Sequence, residues 1–319
     1  MATKKIVLDL DVGIDDALAL AYVLGSPDAD LVAITCTYGN VTVETSARNA
    51  LAVLHLFGRD DVPVYKGITH SRVTSADYVV PPISEFIHGK NGIGECEIPD
   101  SPRKPEEKGA VDFLIEAADA YGKDLFYVPT GASSNLAAVL ERDPAFKDKV
   151  GGVVMMGGTL TCEGNVNACV EANISQDPES SDLVFRSGLE FTMVGLDVTN
   201  QTLLTKNETA VWRALATAGG RFLADMTDYY IDFETNHTGL HGCGLHDPLA
   251  AAVAIDPSLV KTYGINLRVD LEGELRGRTI GERSRINDPH KTAQVALEVD
   301  VPAFAERFME RLTELARNH

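Results

Sequence analysis

The sequence predicts an α/β fold: a mostly parallel central sheet with helices on both faces, in a Rossmann-like, doubly wound arrangement. Two observations carry this reading. Short apolar, β-branched runs alternate with helical patterns through the first two-thirds of the chain, as repeated βαβ units require. Clusters of Asp, Asn and Gly follow these runs, at the strand ends where an open parallel sheet gathers its ligands.

Taken in order, Ile6-Val7-Leu8 places a strand over 6–11, and further short apolar runs place strands at 31–37, 62–65, 125–129, 152–156 and 190–196. Between them, 3.6-residue periodicity places helices at 15–24, 43–57, 107–121, 133–141 and 178–187. The last opens well, with Asp177 suited to the N-cap and Pro178 to the first turn. From residue 205 one long helical stretch is expected to about 232, then a His- and Gly-rich loop from Asn236 to Gly244, then a helix from Pro248. Residues 264–285 read as a hairpin, 293–300 as a final strand and 302–316 as an amphipathic closing helix. No linker, repeat or low-complexity segment interrupts 1–319, so a single domain with inserted loops is expected. Two segments stand apart. Residues 68–106 are proline-rich and contain His88-Gly89-Lys90-Asn91-Gly92-Ile93-Gly94, and 225–245 hold Tyr229, Tyr230, Phe233, His237 and His241. A loop as long as the first is functional or disordered. The aromatic groups suit helix packing and a substrate-stacking surface equally.

Composition narrows the function. A hydrophobic content of 45% supports a real core. No apolar run reaches the roughly 18 residues of a membrane helix, and Met1-Ala2-Thr3-Lys4-Lys5 enters a strand directly, without room for a signal peptide. Five cysteines, an odd number without C-x-x-C spacing, fit reduced thiols in the cytoplasm. The net charge of −19 disfavours nucleic acid and anionic membranes as partners.

The densest chemistry is Asp9-Leu10-Asp11-Val12-Gly13-Ile14-Asp15-Asp16, four carboxylates in eight residues. An N-cap accounts for one or two of them. Four so close repel one another unless a cation joins them, and clustered hard oxygens suit a metal ion or a catalytic role. Further polar groups follow other strands: Gly39-Asn40, Thr130 to Asn135, Met156-Gly157-Gly158, Gly164-Asn165-Val166, Glu171-Ala172-Asn173 and His246-Asp247-Pro248. Singly, each is an ordinary turn or cap. Together they converge on one end of one sheet.

With these segments and Leu196-Asp197-Val198-Thr199 in this order, the chain resembles the nucleoside hydrolases, metal-dependent N-ribohydrolases that include the inosine–uridine-preferring enzymes. The family pattern D-x-D-P-G-x-D-D-A is matched from Asp9 to Ala17, with Val12 in place of proline. The resemblance, which covers residues 6 to about 250, implies Ca²⁺-dependent hydrolysis of ribonucleosides to base and ribose, in nucleoside salvage. It implies Asp11, Asp16, the Thr130 carbonyl and Asp247 as metal ligands, and Asp11 also as the base that activates water. Asp15, Asn40, Asn165, Glu171 and Asn173 would bind the ribose hydroxyls, with Met156 against the ring. His246 would serve the leaving base, with His88, and Tyr229, Tyr230, His237 and His241 of the 225–245 flap, as further candidates near it. Homodimers or homotetramers are common in the family. Val12, and Ala132 where the family has proline, are expected to loosen the turns that aim Asp15 and Thr130. Two other readings compete. A haloacid-dehalogenase-like phosphatase also opens on D-x-D but needs cationic phosphate clamps, and no Lys or Arg adjoins these motifs. A non-catalytic Ca²⁺-dependent nucleoside- or sugar-binding protein would keep the pocket without turnover.

Overall fold

The computed structural model describes residues 3–319. Its centre is six parallel strands: β1 (Lys4–Leu10), β2 (Ala29–Cys36), β3 (Val64–Lys66), β4 (Leu125–Pro129), β5 (Gly152–Met156) and β6 (Phe191–Val194). Later strands are β7 (Leu203–Leu204), β8 (Cys243–Gly244), β9 (Val260–Ile265), β10 (Leu267–Val269), β11 (Thr279–Gly281) and β12 (Ala293–Val299). The main sheet runs β3-β2-β1-β4-β5-β6-β12-β9, with β9 as an antiparallel edge. β10–β11 form the expected hairpin and β7–β8 a small antiparallel pair.

The helices are α1 (Ile14–Leu24), α2 (Val43–Leu56), α3 (Pro82–His88), α4 (Ala110–Tyr121), α5 (Ser134–Arg142), α6 (Phe146–Lys149), α7 (Ala172–Gln176), α8 (Pro178–Arg186), α9 (Leu196–Thr199), α10 (Lys206–Ala214), α11 (Ala218–His237), α12 (His246–Ile255) and α13 (Val301–Arg317). Side-chain alternation along β1 explains the two layers. Ile6, Leu8 and Leu10 join the core beneath α1, α2, α11, α12 and α13, whereas Val7 joins the core beneath α4, α5 and α8. A central strand buried on both faces reads as a continuous apolar run, which is why β1 was legible.

Four expectations need correction. The stretch from 205 is two helices, broken at Ala216, whose φ of +57° ends the right-handed turn; Thr217 then caps Gly220 N–H at 3.0 Å to restart it. The helix expected from Pro248, α12, begins at His246, because proline is tolerated in a first turn. The 68–106 segment contains α3, started by Pro81-Pro82. The loop expected from Asn236 begins two residues later, because α11 is helical to His237, and it runs from Thr238 to Gly242 into β8. Strand β9 was missed because only one of its six residues is buried, so no apolar run marks it.

Candidate active site

Strand order reverses between β1 and β4: the chain winds outward through β2 and β3, then returns to β4 and beyond. In open α/β sheets such a reversal is where loops diverge and ligands bind at the strands' carboxyl ends. Asp11 leaves β1 at this point, Thr37 to Asn40 leave β2, Thr130-Gly131 leave β4, and Gly157-Gly158 leave β5. Asp15 and Asp16 enter in the first turn of α1, and Asp247 in the first turn of α12.

The acidic turn is tightly tied. Asp16 Oδ1 accepts from Asp11 N–H (3.2 Å) and Thr130 Oγ1–H (2.8 Å); its Oδ2 accepts from Gly13 N–H (2.8 Å) and Asn40 Nδ2–H (3.2 Å). Asn49 on α2 donates to Val12 O at 3.3 Å and to Asn91 O at 2.7 Å. Ile14 N–H donates to His88 Nδ1 at 3.1 Å. The turn is therefore pinned by hydrogen bonds where the family pattern has proline, rather than loosened by Val12. Space is equally short. A Cβ on Gly39 would stand 2.0 Å from Asp11 Oδ2, and one on Gly13 would stand 2.6 Å from Asn40 Nδ2 and 2.8 Å from His88 Nδ1.

Asp11, Asp15, Asp16 and Asp247 are all buried. Oxygen atoms of Asp15, Asp16 and Asp247 lie within 4.8 Å of one another. Asp11 stands outside that triplet and connects to it through Asp16; its Oδ2 accepts from Asn40 N–H at 2.6 Å. Asp11 Oδ1 and Asp15 Oδ1 are buried with no hydrogen-bond partner among the described residues. Desolvation, reinforced by Asp16, raises Asp11 well above the ordinary carboxylate range and pushes Asp15 up to about 7. Desolvation, then the charges of Asp15, Asp16 and Asp11, raises Asp247 well above that range too. Orphaned, mutually repelling carboxylate oxygens fit a hard divalent cation, which relieves both costs at once.

Asp9 belongs to the support beneath: it accepts from Thr35 Oγ1 (2.6 Å), Tyr127 OH (2.7 Å) and Asn135 Nδ2 (2.9 Å). Asn173 Nδ2 donates to the Thr130 carbonyl at 2.6 Å and reaches Met156 O at 3.3 Å. Glu171 caps α7, its carboxylate accepting from Asn173, Gly158 and Ile174 N–H groups. Asn165 lies exposed on the preceding loop, with Oδ1 accepting from Ala172 N–H at 2.9 Å, at the start of the same helix. Met156 is buried at the end of β5.

His88 is buried beside the Tyr230 ring, and desolvation, then His246, lowers it to about 3. Half-buried His246 is lowered by desolvation to about 4, with Nδ1 2.7 Å from Thr199 Oγ1. Both imidazoles are therefore neutral at pH 7. Of the flap residues, Tyr230 is buried and Tyr229 half-buried, whereas His237 and His241 are exposed. His237 stacks on Phe233 and meets Phe86 of α3 edge-on. Sequence reasoning passed over Asn49 and gave Asn135, within the Thr130 to Asn135 segment, no role of its own, since a buried Asn on a helix carries no local signal.

Comparison with known proteins agrees with this geometry. Residues 6–306 match the family model described as "Inosine-uridine preferring nucleoside hydrolase". The chain is 37% identical over 322 residues to "Probable uridine nucleosidase 2" of Arabidopsis thaliana, covering 98% of each chain. It is 34% identical to the "Inosine-uridine preferring nucleoside hydrolase" of Crithidia fasciculata, over 94% of this chain and 95% of that one. A solved "Purine-Preferring Ribonucleoside Hydrolase from Gardnerella vaginalis" superposes with a TM-score of 0.97 at 59% identity, covering 99% of this chain and 100% of the other.

Proposed function

The chain belongs to the inosine-uridine preferring nucleoside hydrolase family and hydrolyses ribonucleosides, and from that premise we propose that it does so with Ca²⁺, in nucleoside salvage. The observation that carries the metal is the buried set Asp11, Asp15, Asp16 and Asp247, with two carboxylate oxygens lacking a partner among the described residues. Asp11, Asp16, Asp247 and the Thr130 carbonyl would hold the ion. A bound Ca²⁺ supplies Lewis acidity to the water and ribose hydroxyls around it.

The chain's own residues do the rest. Asp11 takes a proton from the attacking water through its free Oδ1, while Asn40 N–H holds Oδ2 in place. Asp15 and Asn40 accept from and donate to the ribose hydroxyls. Asn173 joins them, held by Thr130 O and by the Glu171 cap. Glu171 keeps lone pairs for a hydroxyl, Asn165 acts at the start of α7, and Met156 lies against the sugar ring. As the C–N bond breaks, positive charge grows on the ribose, and the surrounding carboxylates favour that state over the neutral ground state. His246 donates a hydrogen bond to the departing base, and His88 lines the base side. The ion-binding carboxylates and His246 favour turnover over a non-catalytic binding protein.

We extend to this chain the purine preference in the name of the Gardnerella vaginalis enzyme. The enzyme would work in the cytoplasm as a homodimer or homotetramer, with nucleosides and neither nucleic acid nor membrane as partners. Among the described residues, no helix is long and apolar enough to cross a membrane. Reducing-sugar release from inosine, adenosine, guanosine, uridine and cytidine, with Ca²⁺ or EDTA, tests the proposal. Purine turnover that EDTA abolishes and Ca²⁺ restores is expected. Equal rates in EDTA would remove the metal from the reading, and faster uridine turnover would remove the purine preference.

A further inference from the structure

Thr199 closes α9 beyond the end of β6 and is fully buried. A helical threonine hydroxyl ordinarily turns back on a carbonyl of the preceding turn. This one instead crosses to another helix, and its 2.7 Å contact with His246 Nδ1 is its only hydrogen bond among the described residues. The same helix end is sewn to the residue before His246. Thr202 Oγ1 donates to Thr199 O at 2.8 Å, and Leu245 N–H donates to Thr202 O at 3.0 Å. The ring is also confined from another direction, because a Cβ on Gly244 would stand 2.7 Å from His246 Nε2 and 2.9 Å from Cε1.

A neutral imidazole has one donor and one acceptor nitrogen, and the partner of one fixes the role of the other. A hydroxyl with no other acceptor in reach is free to give its proton to Nδ1. We propose that Thr199 is a positioning residue: it donates to His246 Nδ1, fixes the Nε2–H tautomer, and so presents one aligned donor to the departing base. This rests on the reading of His246 as the group that assists base departure. The proton stays on Nε2. The base leaves with the electron pair of the broken C–N bond, its charge stabilised by that hydrogen bond.

The test compares inosine with p-nitrophenyl riboside, whose phenolate leaves without such help, in Thr199→Val, Thr199→Ser and His246→Ala. A misaligned donor typically costs about tenfold or more. The ratio of kcat on inosine to kcat on the nitrophenyl riboside is expected to fall by about that factor in Thr199→Val and to recover in Thr199→Ser. The same ratio should fall in His246→Ala. A ratio unchanged in Thr199→Val but lowered in His246→Ala overturns the role of Thr199 alone. A ratio unchanged in both overturns the His246 reading, and the proposal with it. ¹⁵N–¹H correlation of the histidine rings in the unmodified enzyme gives a readout that needs no variant to fold. A protonated Nε2 on His246 supports the proposal, and a protonated Nδ1 overturns it.

Discussion

Removing the cation should make the protein less stable as the pH rises, and the structure sets the size of the effect. Burial holds the Asp15 carboxyl at about 7, against 3.8 for the unfolded chain. Between those values the native state binds more protons than the unfolded state, so stability falls as pH climbs through the window and levels off above it. The interval of about three pH units corresponds to about 4 kcal/mol at 1.36 kcal/mol per unit. For 319 residues, an unfolding entropy of about 2.1 cal/mol/K per residue converts this to a drop in Tm of roughly 6 °C between pH 4 and pH 8. Asp11 and Asp247, raised for the same reason, act in the same direction. If the proposed Ca²⁺ binds the ionised native site, it should reverse the loss; at 100 times its Kd a ligand adds about 2.7 kcal/mol, and a cation more at pH 8 than at pH 5. Scanning calorimetry of EDTA-treated protein across this range, with and without added Ca²⁺, makes the measurement. Asp15→Asn serves as the control and should flatten the slope. If the EDTA-treated protein melts as high at pH 8 as at pH 5, or if Asp15→Asn leaves the slope intact, the electrostatic account of the cluster is wrong.

Other outcomes follow from the same geometry. Asp11→Asn should lower kcat by roughly 10²–10⁴ while nucleoside binding, read by calorimetric titration, persists; comparable losses in affinity and turnover would deny Asp11 the role of base. Gly39→Ala drives a Cβ into Asp11 Oδ2 and should cost at least as much turnover as Asp11→Asn, with a measurable fall in Tm. Glu171→Gln replaces an acceptor of three backbone N–H groups with an amide that offers one acceptor oxygen. It should destabilise the fold by about 1–3 kcal/mol in urea titrations, and wild-type stability would show that the cap carries no weight.

The fold was legible where burial is two-sided. β1, β4 and β5 announce themselves as continuous apolar runs because helices cover both faces. Edge strand β9 was silent for the opposite reason, with Lys261, Thr262 and Tyr263 exposed in succession. The site was legible where its chemistry is local. Asp11, Asp15 and Asp16 crowd one turn, and crowded charge is visible in any sequence. Asn49 was not, and Asn135 and Thr199 stood inside recognisable segments without a role, because each acts across the fold on a distant group. Asn165, visible from its motif neighbours, lies exposed with its Oδ1 accepting from Ala172 N–H at the start of α7.

The double grip of Asn49, one amide group holding both Val12 O and Asn91 O, bears on how such an enzyme could be re-engineered. The segment His88–Gly94, proposed above to line the base side, is fastened to the turn that holds the acidic residues, with Gly92 seated against Val12 O and Asn49. Transplanting that segment from a relative with another base preference would therefore disturb the catalytic turn as well. A graft of that segment has to carry positions 12, 14, 49, 88, 91 and 92 as one unit, so that a change made there reaches the acidic turn as a matched set.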